Sequence, residues 1–224
     1  MGKGVLVVAA HPDDDVLGCG ATIARWVQEG RQVVVAFLTD GVGARSDADQ
    51  AAADRREAAA RAAAAILGVT DLRFADWPDN QLDQVPLLEL ARHAESLVAE
   101  LRPDTILTHH PGDLNIDHRR TCQAVLTACR PQPGFSVRTL WSFEVASSTE
   151  WQIPNPGLAF LPTAFVDVSG HLERKLEALD AYQEEIRDWP HPRSRQALEA
   201  LARWRGASVG VTAAEAFVVH RLLT

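Results

Sequence analysis

The stretch Val5-Leu6-Val7-Val8-Ala9-Ala10-His11-Pro12-Asp13-Asp14-Asp15 joins an apolar run to a histidine and three consecutive carboxylates. The apolar part predicts a buried strand, because a strand that is covered on both faces reads as a continuous hydrophobic run. Three adjacent carboxylates at its end repel one another, and a bound cation would remove that conflict. The stretch therefore predicts a covered sheet with a polar site where its first strand ends.

The rest of the chain alternates short apolar segments with alanine-rich segments. Strands are predicted over residues 5–10, 33–38, 72–74, 105–108, 140–145, 164–168 and 214–221. Helices are predicted over residues 17–29, 49–67, 87–101, 117–129, 172–187 and 194–205. This alternation is typical of βαβ units around a mostly parallel sheet, in which ligands bind beyond the carboxyl ends of the strands. We expect one α/β domain over residues 1–224.

Composition and charge argue against several classes of partner. The chain has 224 residues, of which 46% are hydrophobic and 23% charged, and its formal net charge is −8. This acidic balance argues against nucleic acid and anionic membranes, because both attract a surplus of Lys and Arg. Three cysteines are too few for a disulfide framework, and no stretch approaches a transmembrane helix in length. We expect a cytoplasmic protein, and aromatic residues in the second half favour self-association.

A second polar motif follows the predicted strand at residues 105–108. It reads His109-His110-Pro111-Gly112-Asp113-Leu114-Asn115-Ile116-Asp117-His118-Arg119 and places His118 in the first turn of a helix. Two imidazoles and one carboxylate from the two motifs would form a three-ligand set with an open position, as in catalytic zinc sites. A carboxylate beside the liganding one is placed to accept a proton from water. The two motifs together therefore favour metal-dependent hydrolysis.

Ala10-His11-Pro12-Asp13-Asp14 and Asn115-Ile116-Asp117-His118-Arg119 resemble the paired signatures of the PIG-L/LmbE-like zinc de-N-acetylases. The resemblance covers nearly the whole chain, through residues 15–23, 38–41, 56–59, 67–68, 79–80 and 214–217. It implies a Rossmann-like three-layer α/β/α sandwich and a bound Zn²⁺ or another divalent metal. It also implies removal of an N-acetyl or similar acyl group from an amino sugar or a related small molecule.

Carried over position by position, the resemblance implies roles for the matching residues. Asp13 is expected to activate metal-bound water as the general base. The expected metal ligands are His11, Asp14 and His118. The residues expected to orient those ligands from behind are Asp15 and Asp117, the latter beside His118.

The proton donor to the leaving amine stays open. Asn115 stands where many members of the family carry a histidine, and an amide can donate a hydrogen bond to an oxyanion but cannot transfer a proton at neutral pH. Asp13 could make both proton transfers, or His110 or His191 could substitute. We expect substrate contacts from Arg45, Arg56 and His110.

Two other classes of function are weighed against this one. Gly18-Cys19-Gly20 after a strand is similar to part of a dinucleotide-binding fingerprint. Ile23 replaces the third glycine, and the acidic run would repel a pyrophosphate. A non-catalytic metal- or sugar-binding module is favoured only by Asn115. Asp13 argues against it, because a base beside a ligand has no obvious use in binding.

Overall fold

The computed structural model describes residues 4–45 and 49–224, in which strands and helices alternate along most of the chain. The strands are β1 (Gly4–Ala9), β2 (Gln32–Thr39), β3 (Asp71–Trp77), β4 (Thr105–His109), β5 (Thr139–Phe143), β6 (Ala164–Asp167) and β7 (Ala214–Leu222). The helices are α1 (Asp14–Gln28), α2 (Gln50–Leu67), α3 (Leu87–Leu101), α4 (Ile116–Ala128), α5 (Leu172–Asp180) and α6 (Arg195–Ala207).

The strands form one seven-stranded sheet in the order β3-β2-β1-β4-β5-β7-β6. Strand β1 pairs in parallel with β2 and β4, while β7 pairs antiparallel with β5 and β6. The predicted mostly parallel α/β fold is therefore confirmed. The chain runs from β1 outward to β3 and then returns to β4 on the other side of β1. The loops after β1 and β4 thus diverge at a switch point, where such sheets bind ligands.

Apolar clusters cover both faces of the sheet, as the continuous hydrophobic run of β1 predicts. Val5 and Val7 belong to a cluster with side chains of α1, α2 and α5. Leu6 and Val8 belong to a second cluster with side chains of α3 and α4. Successive strand residues point to opposite faces, so a strand between two helical layers needs apolar residues at every position.

Two helix boundaries differ from those expected by three residues or more. Helix α1 begins at Asp14, three residues early, and is interrupted at Cys19, which has φ −147° and ψ 22°. Helix α5 ends at Asp180 instead of residue 187, because the chain tightens into turns in which Tyr182 N–H donates to Leu179 and Glu185 N–H donates to Tyr182. Among residues 4–45 and 49–224, no helix combines the length and hydropathy needed to span a lipid bilayer.

Candidate metal centre and active site

Three side chains from two loops bring their polar atoms together at the carboxyl end of the sheet. His11 Nδ1 lies 3.1 Å from Asp14 Oδ2, and His118 Nε2 lies 3.3 Å from the same oxygen. The two imidazole nitrogens are 3.3 Å apart. The three residues expected to be ligands therefore surround one point, and their donor atoms form a nearly equilateral, buried triangle.

The sheet and one glycine explain why these side chains meet. Val8 of β1 lies opposite Thr108 of β4 in a parallel pair, so the loops that follow these strands leave the sheet side by side. The loop after β2 packs against His11 through Gly41, whose φ is +70°. A Cβ at Gly41 would lie 3.0 Å from His11 Cβ, so both the backbone conformation and the close approach favour glycine.

The second nitrogen of His11 lies against two carboxylates. His11 Nε2 is 3.2 Å from both Asp79 Oδ1 and Asp117 Oδ2. Asp117 is held in turn by the backbone N–H groups of Asn80 and Leu82, which donate at 2.7 and 2.9 Å. Carboxylates in this position fix the ring orientation of metal-binding histidines and raise their basicity.

The second nitrogen of His118 has an equivalent partner in Asp113, whose Oδ1 lies 3.1 Å from His118 Nδ1. Ser148 and Thr149 donate hydrogen bonds to Asp113. Asp117, expected to orient a ligand, contacts His11 and not its sequence neighbour His118. Consecutive residues of a helix point about 100° apart, so neighbours in the sequence face different groups.

Asp14 and the two imidazoles of the triangle favour each other's charged forms. Burial opposes ionisation of Asp14, yet the positive charges of His118 and His11 hold its pKa well below the usual value. Burial likewise opposes protonation of His118, but Asp14 and Asp113 raise the pKa of this imidazole to about 9. Against the same burial, Asp14 and Asp117 raise the pKa of His11 well above its usual value. The carboxylates thus draw positive charge into this point.

A divalent ion fits this donor set. Tetrahedral donors at roughly 2.0–2.1 Å from an ion lie about 3.3–3.4 Å apart, close to the 3.1, 3.3 and 3.3 Å sides of the triangle. Asp14 Oδ1 is buried and has no hydrogen-bond partner among the described residues. The carboxylates that raise the pKa of both imidazoles would also attract a cation at the triangle.

Asp13 lies beside the triangle and is clamped by two arginines. Its Oδ2 is 3.3 Å from Arg56 Nη1 and 3.0 Å from Arg193 Nη1. Burial raises the pKa of Asp13, while the charges of Arg193 and Arg56 oppose that rise. Glu185 pairs with both arginines and with Arg45. Asp13 is therefore the member nearest to the triangle in a connected, largely buried network of charged side chains.

These groups line a cleft of about 270 Å³. The predicted site residues in its wall are His11, Asp13, Arg45, Arg56 and Asn115. The unpredicted charged residues there are Asp79, Glu185 and Arg193. The lining is predominantly polar, which suits a hydroxyl-rich small molecule better than an apolar one.

Asn115 caps helix α4. Its Oδ1 accepts hydrogen bonds from the backbone N–H groups of Asp117 at 2.7 Å and His118 at 3.4 Å, so the capping bond also fixes the start of the helix that carries His118. Its Nδ2 donates to Asn80 Oδ1 at 3.1 Å. This amide therefore has a structural role at the rim of the cleft and keeps its NH₂ group on the cleft side.

Other predicted residues lie away from the cleft. His110 packs edge-on against Phe160, and its Nδ1 accepts the N–H of Gly112, so the structure does not bring it to the substrate side. His191 contacts Trp151, and its Nδ1 accepts the N–H of Arg193. Asp15 is buried, and burial raises its pKa to about 7.

Sequence reasoning missed the outer carboxylates and the second arginine. Asp113 lies inside the 109–119 motif, so its proximity to His118 had a local signal. Asp79 follows a strand, which is a weaker signal of the same kind. Glu185 lies in a segment that is predicted to continue a helix, and Arg193 lies on the loop before α6. No motif at either position indicates that it reaches Asp13.

Comparisons with known proteins find a matching family and several similar proteins. The profile of the family described as PIG-L, GlcNAc-PI de-N-acetylase, matches residues 6–129. The chain is 30% identical to the probable N-acetyl-alpha-D-glucosaminyl L-malate deacetylase 2 of Bacillus anthracis, over 80% of this chain and 79% of that protein. It is also 30% identical to a 1D-myo-inositol 2-acetamido-2-deoxy-alpha-D-glucopyranoside deacetylase of Actinosynnema mirum, over 83% and 81% of the two chains. The solved structure of the conserved protein TT1542 from Thermus thermophilus superposes with a TM-score of 0.79 at 27% identity, over 100% of this chain and 97% of that one.

Proposed function

Because the chain belongs to the PIG-L family of GlcNAc-PI de-N-acetylases, we propose that it hydrolyses the N-acetyl group of an amino sugar derivative with the help of a divalent ion. The similar proteins of B. anthracis and A. mirum are named as deacetylases of N-acetylated glucosamine compounds. The observation that carries the proposal is the triangle of His11, Asp14 and His118 with Asp13 beside it.

The ion would be held by His11, Asp14 and His118. Two imidazoles and one carboxylate suit catalytic zinc, and the same donors also accept iron, cobalt or nickel. When bound, the ion would polarise the acyl carbonyl and increase the acidity of water. Asp79 and Asp117 would orient His11, and Asp113 would orient His118.

Asp13 would move the protons. Its carboxylate takes a proton from the attacking water as the new C–O bond forms at the acyl carbon. As the C–N bond breaks, the same group returns the proton to the amine nitrogen, which gives acetate and the free amino sugar. Asp13 makes both transfers in this proposal, because Asn115 cannot donate a proton and the rings of His110 and His191 are engaged elsewhere.

The polar groups of the cleft would bind the sugar. Arg45 is partly exposed at the cleft, so its planar donors can meet hydroxyl oxygens of the substrate. Arg56 is buried in the wall, where its donors hold Pro12, Asp13 and Glu185. Asn115 keeps its NH₂ group at the rim, where it can donate to a substrate oxygen.

The experiment measures acetate release from a panel of N-acetylglucosamine derivatives by the zinc-loaded protein. Asp13→Asn should lower turnover by about 10³-fold or more, because the proton acceptor is lost, while the metal content stays unchanged. Asp54→Asn, on the exposed face of α2, is the matched control and should retain full turnover.

Two results of that experiment would contradict the proposal. Full turnover in Asp13→Asn would remove Asp13 from its role as base. A zinc-loaded native protein that releases acetate from no member of the panel would favour the non-catalytic binding module.

Dinucleotide binding is not favoured by the structure, because Gly18 and Gly20 are buried within α1, where a Cβ at Gly18 would overlap the Phe143 ring.

A further inference from the structure

Asp13 has a backbone conformation that its surroundings must hold. Its φ of 127° and ψ of −28° lie outside the regions that residues with a side chain favour. Such conformations persist where neighbouring contacts determine them, and they concentrate at functional sites. The contacts of the Asp13 carboxylate are therefore expected to determine the orientation of its two oxygens.

Both arginines that contact Asp13 meet the same oxygen. Arg56 Nη1 and Arg193 Nη1 lie 3.3 and 3.0 Å from Oδ2. A carboxylate that is held from one side by two guanidinium groups cannot rotate freely about its last torsion. Its other oxygen, Oδ1, is thereby kept for a different partner.

The guanidinium of Arg193 is itself fixed at three points. Its Nε donates to Ser147 Oγ at 2.7 Å, and its Nη1 contacts Asp13 and also Glu185 Oε2, at 3.2 Å. Glu185 in turn pairs with Arg45 and Arg56. This planar, multiply anchored geometry is one that a lysine cannot reproduce.

Arg193 differs from Arg56 because its guanidinium does not hold the backbone of a neighbouring loop. Arg56 also donates to the Pro12 carbonyl at 2.7 Å, so it supports the loop backbone as well as Asp13. The guanidinium of Arg193 contacts only side chains among its described partners. Helix α6 begins independently of that guanidinium, because Ser194 Oγ accepts the N–H of Ala197.

We propose that Arg193 is a positioning residue that holds Asp13 Oδ2 and so presents Asp13 Oδ1 to the attacking water. The inference rests on the proposed role of Asp13 as base. It adds to the reaction a residue from the segment before α6, outside the matched residues 6–129. Glu185 completes the arrangement by fixing the guanidinium between Asp13 and Ser147.

The test compares Arg193→Ala, Arg193→Lys and the control Arg203→Ala, whose arginine pairs with Glu199 on the exposed face of α6. For Arg193→Ala we expect kcat to fall by about 10²-fold, the effect of a small misplacement of a reacting group. KM and metal content should stay unchanged. Added guanidinium ion should restore part of kcat, and Arg193→Lys should retain less activity than the native protein. Arg203→Ala should match the native protein.

A double-mutant cycle with Asp13→Asn shows whether Arg193 acts through Asp13. In the Asp13→Asn background, Arg193→Ala should cause no further loss of kcat and guanidinium no rescue. An unchanged kcat in Arg193→Ala, a rise in KM alone, or full additivity in the cycle would overturn the inference. If Arg193→Ala does not fold, the same cycle with Arg193→Lys in its place tests the inference. An active Asp13→Asn would instead refute the proposed base, which keeps the two failures distinct.

Discussion

Two clusters of buried charge contact helix α1, and their polar atoms are satisfied to different degrees. In the first cluster, Lys175 Nζ donates to the Leu17 carbonyl at 2.8 Å and to Glu215 Oε1 at 2.6 Å. The Glu215 carboxylate also accepts the backbone N–H groups of Ala21 and Thr22, at 3.2 and 2.7 Å. Each charged atom of this pair has a partner from the chain itself.

The Lys175–Glu215 pair has a clear structural reason. Helix α1 is interrupted at Cys19, and an interruption leaves carbonyl groups before it and N–H groups after it without helical partners. Lys175 takes the carbonyl of Leu17, and Glu215 takes the N–H groups of Ala21 and Thr22. The pair thus stabilises a break in the helix.

The second cluster, at the triangle of His11, Asp14 and His118, is not completed in this way. Asp14 Oδ1 is buried without a hydrogen-bond partner among the described residues. The carboxylates raise the pKa of both imidazoles against the effect of burial. In a cluster that only stabilises a fold, each buried polar atom has a partner from the chain. In a cluster that binds an ion, some of these atoms have no such partner and can contact the ion.

The largest effect is expected from Asp14→Asn, which removes the negative ligand. Acetate release should fall by at least about 10⁴-fold, or roughly 5.5 kcal/mol. Zn²⁺ should raise the melting temperature of the native protein but not of the variant, because only a bound ion stabilises the folded chain. A variant that keeps both its zinc response and its activity would break the contrast between the two clusters.

Lys175→Met should act on stability instead. It leaves the Glu215 carboxylate buried without its cation, which costs about 3–5 kcal/mol. Urea unfolding measures this loss, while the folded variant should still bind the ion at the triangle. Arg203→Met, which breaks an exposed pair with Glu199, is the control and should cost only about 0.3–0.5 kcal/mol. A loss for Lys175→Met as small as that of the control would mean that the interior pair does not hold the helix break.

Gly18→Ala probes the packing between the two clusters. A Cβ at Gly18 would overlap the Phe143 ring of β5, and overpacking of this kind costs about 1–3 kcal/mol. Gly170→Ala is the control, since a Cβ there meets no atom of residues 4–45 and 49–224 within 4 Å. Thermal unfolding separates the two variants. Equal stability would show that the core around α1 accommodates the added methyl group.

The smallest effect should come from Asp117→Asn, which changes the partner of a ligand but not a ligand. Zinc affinity should fall by about 10–100-fold, because a neutral amide orients His11 less firmly. Competition with a chelator of known affinity measures the change. Asp54→Asn, on an exposed helix face, should leave the affinity unchanged. An equally unchanged affinity in Asp117→Asn would remove Asp117 from its orienting role.

Much of the fold could be predicted because its signals are local. The valine-rich run at residues 5–8 needs cover on both faces, which indicates a parallel sheet between helices. Both histidine motifs begin where a strand ends, and parallel strands bring their carboxyl ends to one edge. The two motifs could therefore be expected to meet, and the resemblance to the PIG-L family selected His11, Asp14 and His118 within them. The structure brings these three residues together.

The outer part of the site could not be predicted in the same way. Glu185 belongs to a segment whose pattern continues a helix, yet the chain leaves that helix at Asp180. Arg193 lies 180 positions from Asp13, on a loop without periodicity. Such contacts arise from tertiary packing, which leaves no local pattern in the sequence. The ligand that Asp117 contacts could not be predicted either, because only the folded geometry shows that Asp117 faces His11 and not its sequence neighbour His118.

We expect hydrolysis to depend on one divalent ion that is held by His11, Asp14 and His118. The most direct measurement frees the purified protein of metal with a chelator, then titrates Zn²⁺ while following acetate release from an N-acetylglucosamine derivative. We predict that the metal-free protein is inactive, that activity reaches its plateau at one ion per chain, and that His11→Ala with His118→Ala abolishes the response. Undiminished activity in the metal-free protein, or an unchanged response in the double variant, would show that hydrolysis does not depend on an ion at this triangle.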